Sequence, residues 1–521
     1  MKKKPNILHL FTDMQRADTI HALGNPVIRT PALDRLVREG TAFTNAFSPS
    51  PVCVSARCSM IHGQYPAHTG CYENTLMPAD GRQSFMDGLS AAGYRTHGIG
   101  KCHFTPDAYA LRGFQSREVQ EEGGVPMKDL DKSHYLKYLR DKGYDHIMEA
   151  YGVRGEMYYH PQPSQIPAKD HPSQWLGDRS IDFIKGQENK DESWYLYSSF
   201  IHPHPPFTPP APWHKLYRPA TMPLPNMPQD TEALLTYINR AQNRYKYRDQ
   251  GRDLNLVRNI IAYYYACISF VDYQIGRIVA ELDRQGILED TLILFSSDHG
   301  EFLGDLGCYG KRSMHDPASR VPLIVRYPQR FAQGAVCQKP ANLVDLAPTF
   351  LAAAGTTLQS HEADGIDLAE LAGGRSQRQY VFSQLCVPPG MVAVFLGHPE
   401  TPEFATDAER RAAYSSYMCV SERWKYVYSA TDGAEFLFDR INDPKETRNR
   451  KGVLFCQDAL VEHRSALMAH LRSMGETAGL DGDSWKAFPK RQLDADPDTG
   501  LLIQDLHTPW AKLELPEGYR P

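Results

Sequence analysis

The stretch Pro51-Val52-Cys53-Val54-Ser55-Ala56-Arg57-Cys58-Ser59-Met60-Ile61-His62-Gly63 is the part of the chain around which the fold is organised. Ser50-Pro51 is a helix-start signal and Gly63 a helix-end signal, which predicts a short helix with Cys53 and Arg57 one turn apart on one face. A helix N-terminus lowers the pKa of a thiol, so Cys53 is a candidate nucleophile with Arg57 as its anion partner. The other interpretation, a buried cysteine beside an ion-paired arginine, is favoured when this stretch is taken alone.

Outward from this stretch, apolar runs alternate with helical patterns. A run such as residues 6–11, ended abruptly by Thr12 and Asp13, is typical of a buried strand. Strands that alternate with helices form a mostly parallel sheet with helices on both faces, so we predict an α/β fold with one large sheet in a domain of residues 1–375. The strands are expected at residues 6–11, 94–99, 194–200, 291–296 and 321–326, and the helices at 31–39, 84–92, 174–186, 254–284 and 346–354.

The pattern changes near residue 376. Short strand-like pieces at residues 392–396, 417–420 and 425–428 predict a smaller C-terminal α+β subdomain, residues 376–475, with a short antiparallel sheet. Scattered prolines and isolated apolar residues at 476–521 predict an extended tail that is either disordered or laid on another surface, in cis or at a subunit contact. The hypothesis we take forward is a subunit contact, in a homo-oligomer (dimer or tetramer). Residues 105–172 are polar and irregular, and we interpret them as an insertion over the site.

Composition excludes several classes of protein. The net charge is −5 with no basic block, so neither nucleic acid nor a membrane is expected as a partner. The first residues lack the apolar core of a signal peptide, and no run approaches the length of a transmembrane helix. Ten cysteines are scattered without paired spacings, as expected of free thiols in a reducing compartment. These features predict a cytoplasmic protein.

Polar residues of catalytic or metal-binding type follow several of the predicted strands. Because the carboxyl ends of parallel strands meet at one sheet edge, these residues are expected to lie together, joined by the Cys53 helix if it caps that edge. Carboxylates suit hard cations and imidazole widens the choice toward manganese or zinc, which predicts a divalent metal site; taken singly, the same residues are also typical of helix caps and turns. The residues after the strands are Asp13, Lys101, His103, His204, Asp298 and His299.

Several motifs together resemble those of the formylglycine-dependent sulfatases of the alkaline-phosphatase-like superfamily, close to bacterial cytoplasmic arylsulfatases and phosphonate monoester hydrolases. The most specific are Cys-x-Ser-x-Arg at residues 53–57 and Ser-Asp-His-Gly-Glu at 297–301 with Gly310-Lys311 after it; Gly-Lys-x-His at 100–103 and Pro-His-Pro-Pro-Phe at 203–207 add to them. The resemblance extends over residues 5–450. Two positions depart from the family pattern: Ser55 replaces the usual proline or alanine, and Met14 replaces a second acidic residue or glutamine.

The resemblance implies that a formylglycine-generating maturation enzyme oxidises Cys53 to 3-oxoalanine (Cα-formylglycine), whose hydrated aldehyde attacks sulfur. It further implies one divalent ion held by Asp13, Cys53, Asp298 and His299. Calcium is the ion expected by family, but the thioether of Met14 is a poor ligand for a hard cation, so the smaller ligand set also suits manganese.

The resemblance also assigns roles around the nucleophile, although a single lysine or histidine is more often a surface or structural residue. The assigned residues are Lys101 and Lys311 for the sulfate oxygens, His204 for the leaving oxygen, His103 as the base that releases sulfate, Arg57 for the diol, and Asn74 as a lining residue of the substrate site. Structural roles are expected for His62, His68, Asp305, His315 and Asp316.

The leading hypothesis is a metal-dependent hydrolase of small sulfate monoesters, similar to arylsulfatases, that releases inorganic sulfate. One alternative is a phosphonate monoester or phosphodiester hydrolase with the same nucleophile. Related phosphonate hydrolases have smaller or neutral residues at the positions of Lys101 and His103, which favours sulfate here. The other alternative is an inactive relative that serves as a binding protein, and only Ser55 and Met14 favour it.

Overall fold

The protein is described by a computed structural model over residues 4–74, 76–122, 132–154, 157–246, 253–388, 390–392 and 404–493. Most of the strand expected at 392–396 lies outside the described residues, as do residues 123–131 of the expected insertion. The expected tail is described as far as residue 493, and its segment 494–521 lies outside, so the subunit contact expected there stays a prediction.

A large, mostly parallel sheet forms the centre of the molecule, as the sequence predicts. Its strands are β1 Asn6–Thr12, β2 Thr41–Phe43, β4 Arg95–Gly100, β5 Ser116–Val119, β6 Trp194–Ser199, β7 Thr291–Ser297, β8 Leu323–Arg326 and β9 Ala335–Cys337, and the short strands β3 Ala46–Phe47 and β10 Ala341–Asn342 pair beside it. The order is β5-β4-β6-β1-β7-β8-β2-β9, and only β8 runs antiparallel to its neighbours. Every residue of the apolar run β1 is buried, because the strand is covered on both faces.

Helices cover both faces of this sheet. The helices of the described residues, including those of the C-terminal region, are α1 Pro31–Glu39, α2 Cys53–His62, α3 Pro66–Thr69, α4 Phe85–Ala91, α5 His134–Asp141, α6 Pro172–Lys185, α7 Tyr237–Lys246, α8 Leu254–Arg284, α9 Asp316–Ser319, α10 Leu346–Ala354, α11 Leu368–Ala372, α12 Asp407–Ala413 and α13 Gln457–Ser473. Successive residues of β1 point to opposite faces: Ile7 and Phe11 pack with α2, α4 and α10, whereas Leu8 and Leu10 pack with α1, α6 and α8.

Helix α8 is long and apolar enough to cross a membrane by length and composition. Of its most apolar window, 67% is buried inside the protein, where Val271, Ile275 and Ile278 pack against the sheet. Helix α8 is therefore a core helix that covers one face of the large sheet.

A second, antiparallel sheet follows in the C-terminal region. Its strands are β11 Val381–Cys386, β12 Ser415–Val420, β13 Trp424–Ser429 and β14 Ala434–Asp439, paired in chain order, and a small hairpin of β15 Leu480–Asp481 and β16 Ser484–Trp485 lies beyond them. One face of the sheet packs on α13, because Tyr417, Cys419 and Tyr426 share an apolar cluster with Leu460 and Leu467.

A buried lysine joins this sheet to the large one. Lys425 of β13 has no exposed side-chain surface, and its Nζ lies 2.8 Å from Oδ1 of Asp316 in α9. It also pairs with Glu446, whose turn Asp-Pro-Lys-Glu at 443–446 follows β14. Two carboxylates from different parts of the chain therefore share one buried ammonium.

We expect Lys425→Met to lower the free energy of unfolding by about 3–5 kcal/mol, since it removes the ammonium paired with buried Glu446 and leaves Asp316 with its arginine contacts alone. The matched control is Lys339→Met, which removes a half-exposed lysine paired with Glu422 and should cost less than about 1 kcal/mol. Urea unfolding of both variants measures the difference, and equal losses would show that the buried bridge contributes no more than a surface pair.

Candidate active site

The carboxyl ends of three strands in the large sheet bring the expected residues together. Asp13 follows β1, Lys101 follows β4, and Asp298 with His299 follows β7. Helix α2 caps this edge, and its first residue, Cys53, has Sγ 3.7 Å from Asp13 Oδ1 and 3.3 Å from His299 Nε2. The edge is thus the meeting point that parallel strands predict.

Asp13, Cys53, Asp298 and His299 form a fully buried cluster that fits a metal ion. Their ligand atoms all lie within 4.8 Å of one another. Nδ1 of His299 lies 2.9 Å from the carbonyl oxygen of Gly300, so Nε2 is left to face Asp298 Oδ1 at 3.6 Å and Asp13 Oδ1 at 3.9 Å. Two carboxylates and an imidazole oriented by a second contact are a ligand set for a hard or borderline divalent cation.

Met14 supports this cluster through its backbone. Its N–H donates to Asp298 Oδ1 at 3.1 Å, and its carbonyl oxygen accepts from the Tyr264 hydroxyl at 2.6 Å. The φ of Met14 is 63°, a left-handed conformation that is strained for a residue with a side chain. Met14, where the sequence departs from the pattern it resembles, therefore orients Asp298 by a backbone hydrogen bond.

Arg57 connects the two carboxylates. Its Nε donates to Asp298 Oδ2 at 2.9 Å, and one terminal nitrogen donates to Asp13 Oδ2 at 3.2 Å. The other terminal nitrogen lies near three oxygens: the Lys101 carbonyl at 2.8 Å, the Ser199 hydroxyl at 3.0 Å and the Tyr197 hydroxyl at 3.1 Å. Its contacts in the described residues thus hold the metal-binding carboxylates, whereas the resemblance assigns it to the diol.

The pKa values of the two carboxyl groups are shifted in opposite directions. Burial raises the pKa of Asp13, but the surrounding cations, led by Lys101 and His204, outweigh it and hold that pKa well below its usual range. Burial and the charge of Asp13 raise the pKa of Asp298 against the opposing charge of His299. Asp13 is consequently the more firmly ionised of the pair.

Two lysines surround Cys53. Lys311 Nζ lies 2.6 Å from Sγ and Lys101 Nζ 4.0 Å from it. Burial and Asp13 raise the pKa of the thiol, but the two lysines and His299 outweigh them and bring it well below its ordinary value. The space around position 53 therefore stabilises negative charge.

Lys101 is itself fixed between two acids. Gly100 before it has φ 96°, and a Cβ there would lie 2.1 Å from the Ser199 carbonyl oxygen, so the turn that delivers Lys101 requires glycine. Lys101 Nζ lies 2.5 Å from Asp13 Oδ2 and 3.0 Å from Glu122 Oε1. Its ammonium occupies the space between these carboxylates.

His204 lies on the other side of Glu122. Its Nδ1 is 2.9 Å from Glu122 Oε2 and 2.7 Å from the Pro205 carbonyl oxygen. Burial and the charge of His204 shift the pKa of Glu122 in opposite directions, and His204 with Lys101 prevails, so that this pKa is well below the usual range. Glu122 is therefore ionised inside the site.

The structure gives His103 and Asn74 different surroundings. The backbone N–H of His103 lies 3.1 Å from each carboxylate oxygen of Glu121, and among the described residues its buried Nδ1 has no hydrogen-bond partner. Asn74 accepts from the Val54 N–H at 2.9 Å and so caps the N-terminus of α2 beside Cys53. Asn74 is thus fixed at the site by a structural hydrogen bond.

Comparison with known proteins fits this geometry. The protein-family model described as Sulfatase matches residues 5–356. The chain belongs to the sulfatase family. The resemblance and the fold expected from the motifs are therefore confirmed.

Curated relatives extend over most of this sulfatase. The arylsulfatase of Clostridium perfringens is 28% identical over 480 residues, which covers 86% of this chain and 90% of the relative. The choline-sulfatase of Rhizobium meliloti is 29% identical over 468 residues, 86% of this chain and 82% of the relative. The solved phosphonate monoester hydrolase of Silicibacter pomeroyi superposes with a TM-score of 0.76 at 24% identity, over 91% of this chain and 96% of that one, and shares the fold.

Sequence reasoning missed Glu122. It lies three residues after the end of β5, whereas Asp13 comes immediately after β1. Strand β5 has only four residues, of alternating burial, and it lies in the stretch interpreted as an irregular insertion. The pair Glu121-Glu122 after the pattern Ser-Arg-Glu-Val was the signal that could have found it.

The neighbouring residues that were expected to be structural make structural contacts. His62 Nδ1 lies 2.9 Å from the Gln83 carbonyl oxygen, and burial lowers the pKa of His62 to about 4. The other contacts pair His68 with Asp364, Asp305 with Arg16, His315 with Ser313, and Asp316 with Lys425.

We expect Asp13→Asn and Asp298→Asn each to reduce bound divalent metal to a small fraction of that in the wild-type protein, because each removes one of the two carboxylates of the four-residue cluster. Elemental analysis after dialysis measures metal per chain. Asp305→Asn is the matched control, since this carboxylate binds Arg16 2.8 Å away and should leave the metal content unchanged. Wild-type metal content in both site variants would contradict the assignment.

Proposed function

We propose that this sulfatase hydrolyses sulfate monoesters with a formylglycine made from Cys53, in a metal-dependent reaction that releases inorganic sulfate. The observation that carries the proposal is the position of Cys53, buried between Lys311, Lys101 and the Asp13–Asp298–His299 cluster. A group at this position faces a ligand set for a divalent cation on one side and fixed ammonium groups on the other.

Two groups complete the proposed site. A divalent ion, calcium or manganese, would be held by Asp13, Asp298, His299 and residue 53. When bound, such an ion lowers the pKa of a hydroxyl group and stabilises negative charge on oxygen. The hydrated aldehyde of formylglycine supplies a hydroxyl nucleophile together with a second hydroxyl for release of sulfate. An unmodified thiol lacks that second hydroxyl.

The lysines are the groups that would bind the sulfate oxygens. An ammonium group has three donors, and Lys101 uses two of them on Asp13 and Glu122, which leaves one for an oxygen next to residue 53. Lys311 Nζ is 2.6 Å from Cys53 Sγ, so its ammonium would be within reach of an oxygen on a sulfur atom that residue 53 attacks. Donors fixed in a buried site stabilise developing charge without reorganisation.

The histidines would handle protons. His204, which contacts Glu122, would donate a proton to the leaving oxygen. The Nδ1 of His103, which has no hydrogen-bond partner among the described residues, is a candidate base for the breakdown step. His103 is two residues after Lys101 in the chain, and His204 shares the Glu122 carboxylate with Lys101. The groups proposed for sulfate binding and for proton transfer are therefore adjacent.

Lys101 and His103 also decide between sulfate and phosphonate esters. A sulfate monoester presents three bare oxygens, whereas a phosphonate monoester replaces one of them with a carbon substituent. That substituent would leave a buried donor unpaired, which costs affinity in the transition state. A sulfate ester is therefore the better fit to the site.

The test is the ratio of kcat/KM for 4-nitrophenyl sulfate to kcat/KM for 4-nitrophenyl phenylphosphonate. The metal-loaded, modified enzyme should prefer the sulfate. The double variant Lys101→Ala/His103→Ala should lower kcat/KM for the sulfate by about 100-fold or more, since a fixed donor contributes that much to the rate. It should also narrow the ratio of sulfate to phosphonate kcat/KM. Lys137→Ala, a surface lysine paired with Asp141, is the control and should leave the ratio unchanged. A wild-type preference for the phosphonate would replace the proposal with a phosphonate monoester hydrolase.

A further inference from the structure

Glu122 is the one acidic side chain of the site that the proposed metal and sulfate contacts leave without a role, counting only the described residues. Its side chain is 15% exposed, and its two oxygens reach different partners: Oε1 faces Lys101 Nζ at 3.0 Å and Oε2 faces His204 Nδ1 at 2.9 Å. Arg154 lies farther away, at 3.8 Å. A buried carboxylate this close to an anion-binding site opposes substrate binding unless it serves another step.

The hydrogen bonding of His204 indicates that step. Nδ1 is hydrogen-bonded to the Pro205 carbonyl oxygen at 2.7 Å, while Glu122 Oε2 faces it at 2.9 Å as an ion-pair partner outside hydrogen-bond geometry; both oxygens are acceptors, so Nδ1 carries a hydrogen. A neutral imidazole with its hydrogen on Nδ1 has a bare Nε2 and can only accept there. His204 can donate through Nε2 to a leaving oxygen only as an imidazolium.

Glu122 and Asp13 are the groups that favour that imidazolium. Burial, the largest effect, and Lys101 act against the positive charge and prevail, so the pKa of His204 lies below its usual value although Glu122 and Asp13 raise it. Glu122 is the acidic group in contact with the ring, so it both orients the ring and compensates its charge. This is the arrangement by which a carboxylate supports a histidine general acid.

We propose that Glu122 is the positioning residue for proton delivery to the leaving alcohol, holding His204 with Nδ1 toward Glu122 and Nε2 toward the ester oxygen. The inference rests on the proposed sulfate ester hydrolysis and adds its acid. In the step, the ionised hydroxyl of hydrated formylglycine at position 53 forms a bond to sulfur while the S–O bond to the alcohol breaks. The electron pair of the broken bond stays on the alcohol oxygen, and the Nε2 proton of His204 moves to that oxygen. The positive charge on the ring is lost, and Glu122 keeps its negative charge throughout.

The dependence of kcat/KM on the leaving group distinguishes proton delivery by His204 from a general electrostatic effect of the Glu122 charge. A nitrophenolate leaves as a stable anion and needs little protonation, whereas phenol, with a pKa of about 10, needs the proton. Glu122→Gln keeps a hydrogen-bond acceptor for Nδ1 but removes the charge. We expect kcat/KM for phenyl sulfate to fall by about 100-fold and that for 4-nitrophenyl sulfate by less than about 10-fold, since general acid catalysis contributes on this scale.

Glu118→Gln is the matched control. Glu118 lies in β5, four residues before Glu122, and pairs with Arg179 outside the site. Its substitution should leave kcat/KM for both substrates at the wild-type value. Glu122→Asp, which keeps the charge, should recover most of the phenyl sulfate activity and also serves if the glutamine variant does not fold. His204→Gln should show the same selective loss, and adding Glu122→Gln to it should have little further effect.

Equal losses on both substrates, or additive losses with His204→Gln, would overturn the role of Glu122. A wild-type enzyme that is inactive on both sulfates while carrying metal and formylglycine would instead overturn the proposed function. The two failures are distinguishable because the second appears before any variant is compared.

Discussion

Two buried carboxylates of like charge, Asp13 and Asp298, set the main constraint on this structure. Removing ionised groups from water costs several kcal/mol each unless cations and hydrogen bonds replace the water. Arg57 meets both carboxylates with one planar guanidinium, and the backbone of Met14 adds a donor to Asp298. Helix α2 must therefore dock on the sheet edge in one position, because its arginine is tied to the ends of both β1 and β7.

That docking also determines where residue 53, the proposed nucleophile, lies. Cys53 is one helical turn before Arg57, so the guanidinium that balances the carboxylates fixes the distance from residue 53 to the metal cluster. The first turn of the helix is held from the other side by Asn74 on the Val54 N–H, and Ser55 donates to the Cys71 carbonyl oxygen at 2.5 Å. The unusual Ser55 thus ties the first turn of α2 to the segment that follows α3, and so helps to hold residue 53 in place.

The sequence predicted the large sheet and its edge because long buried strands and glycine-bounded loops leave local signals. Asp13, Lys101, Asp298 and His299 were found from their position after such strands. Three-residue strands such as β2 and β9 carry no period of their own, and their place in the sheet depends on contacts distant in the chain. Glu122 was missed for the same reason, since its role depends on Lys101 and His204, which fold against it from two other strands.

The central claim is that residue 53 acts as formylglycine, and mass spectrometry of the tryptic peptide ending at Arg57 tests it most directly. Protein produced with and without a formylglycine-generating enzyme gives preparations with different modified fractions. The account predicts that aryl sulfatase activity rises in proportion to the fraction carrying 3-oxoalanine at position 53, and that Cys53→Ala is inactive although folded. Full activity from protein whose peptide contains only unmodified cysteine would contradict it.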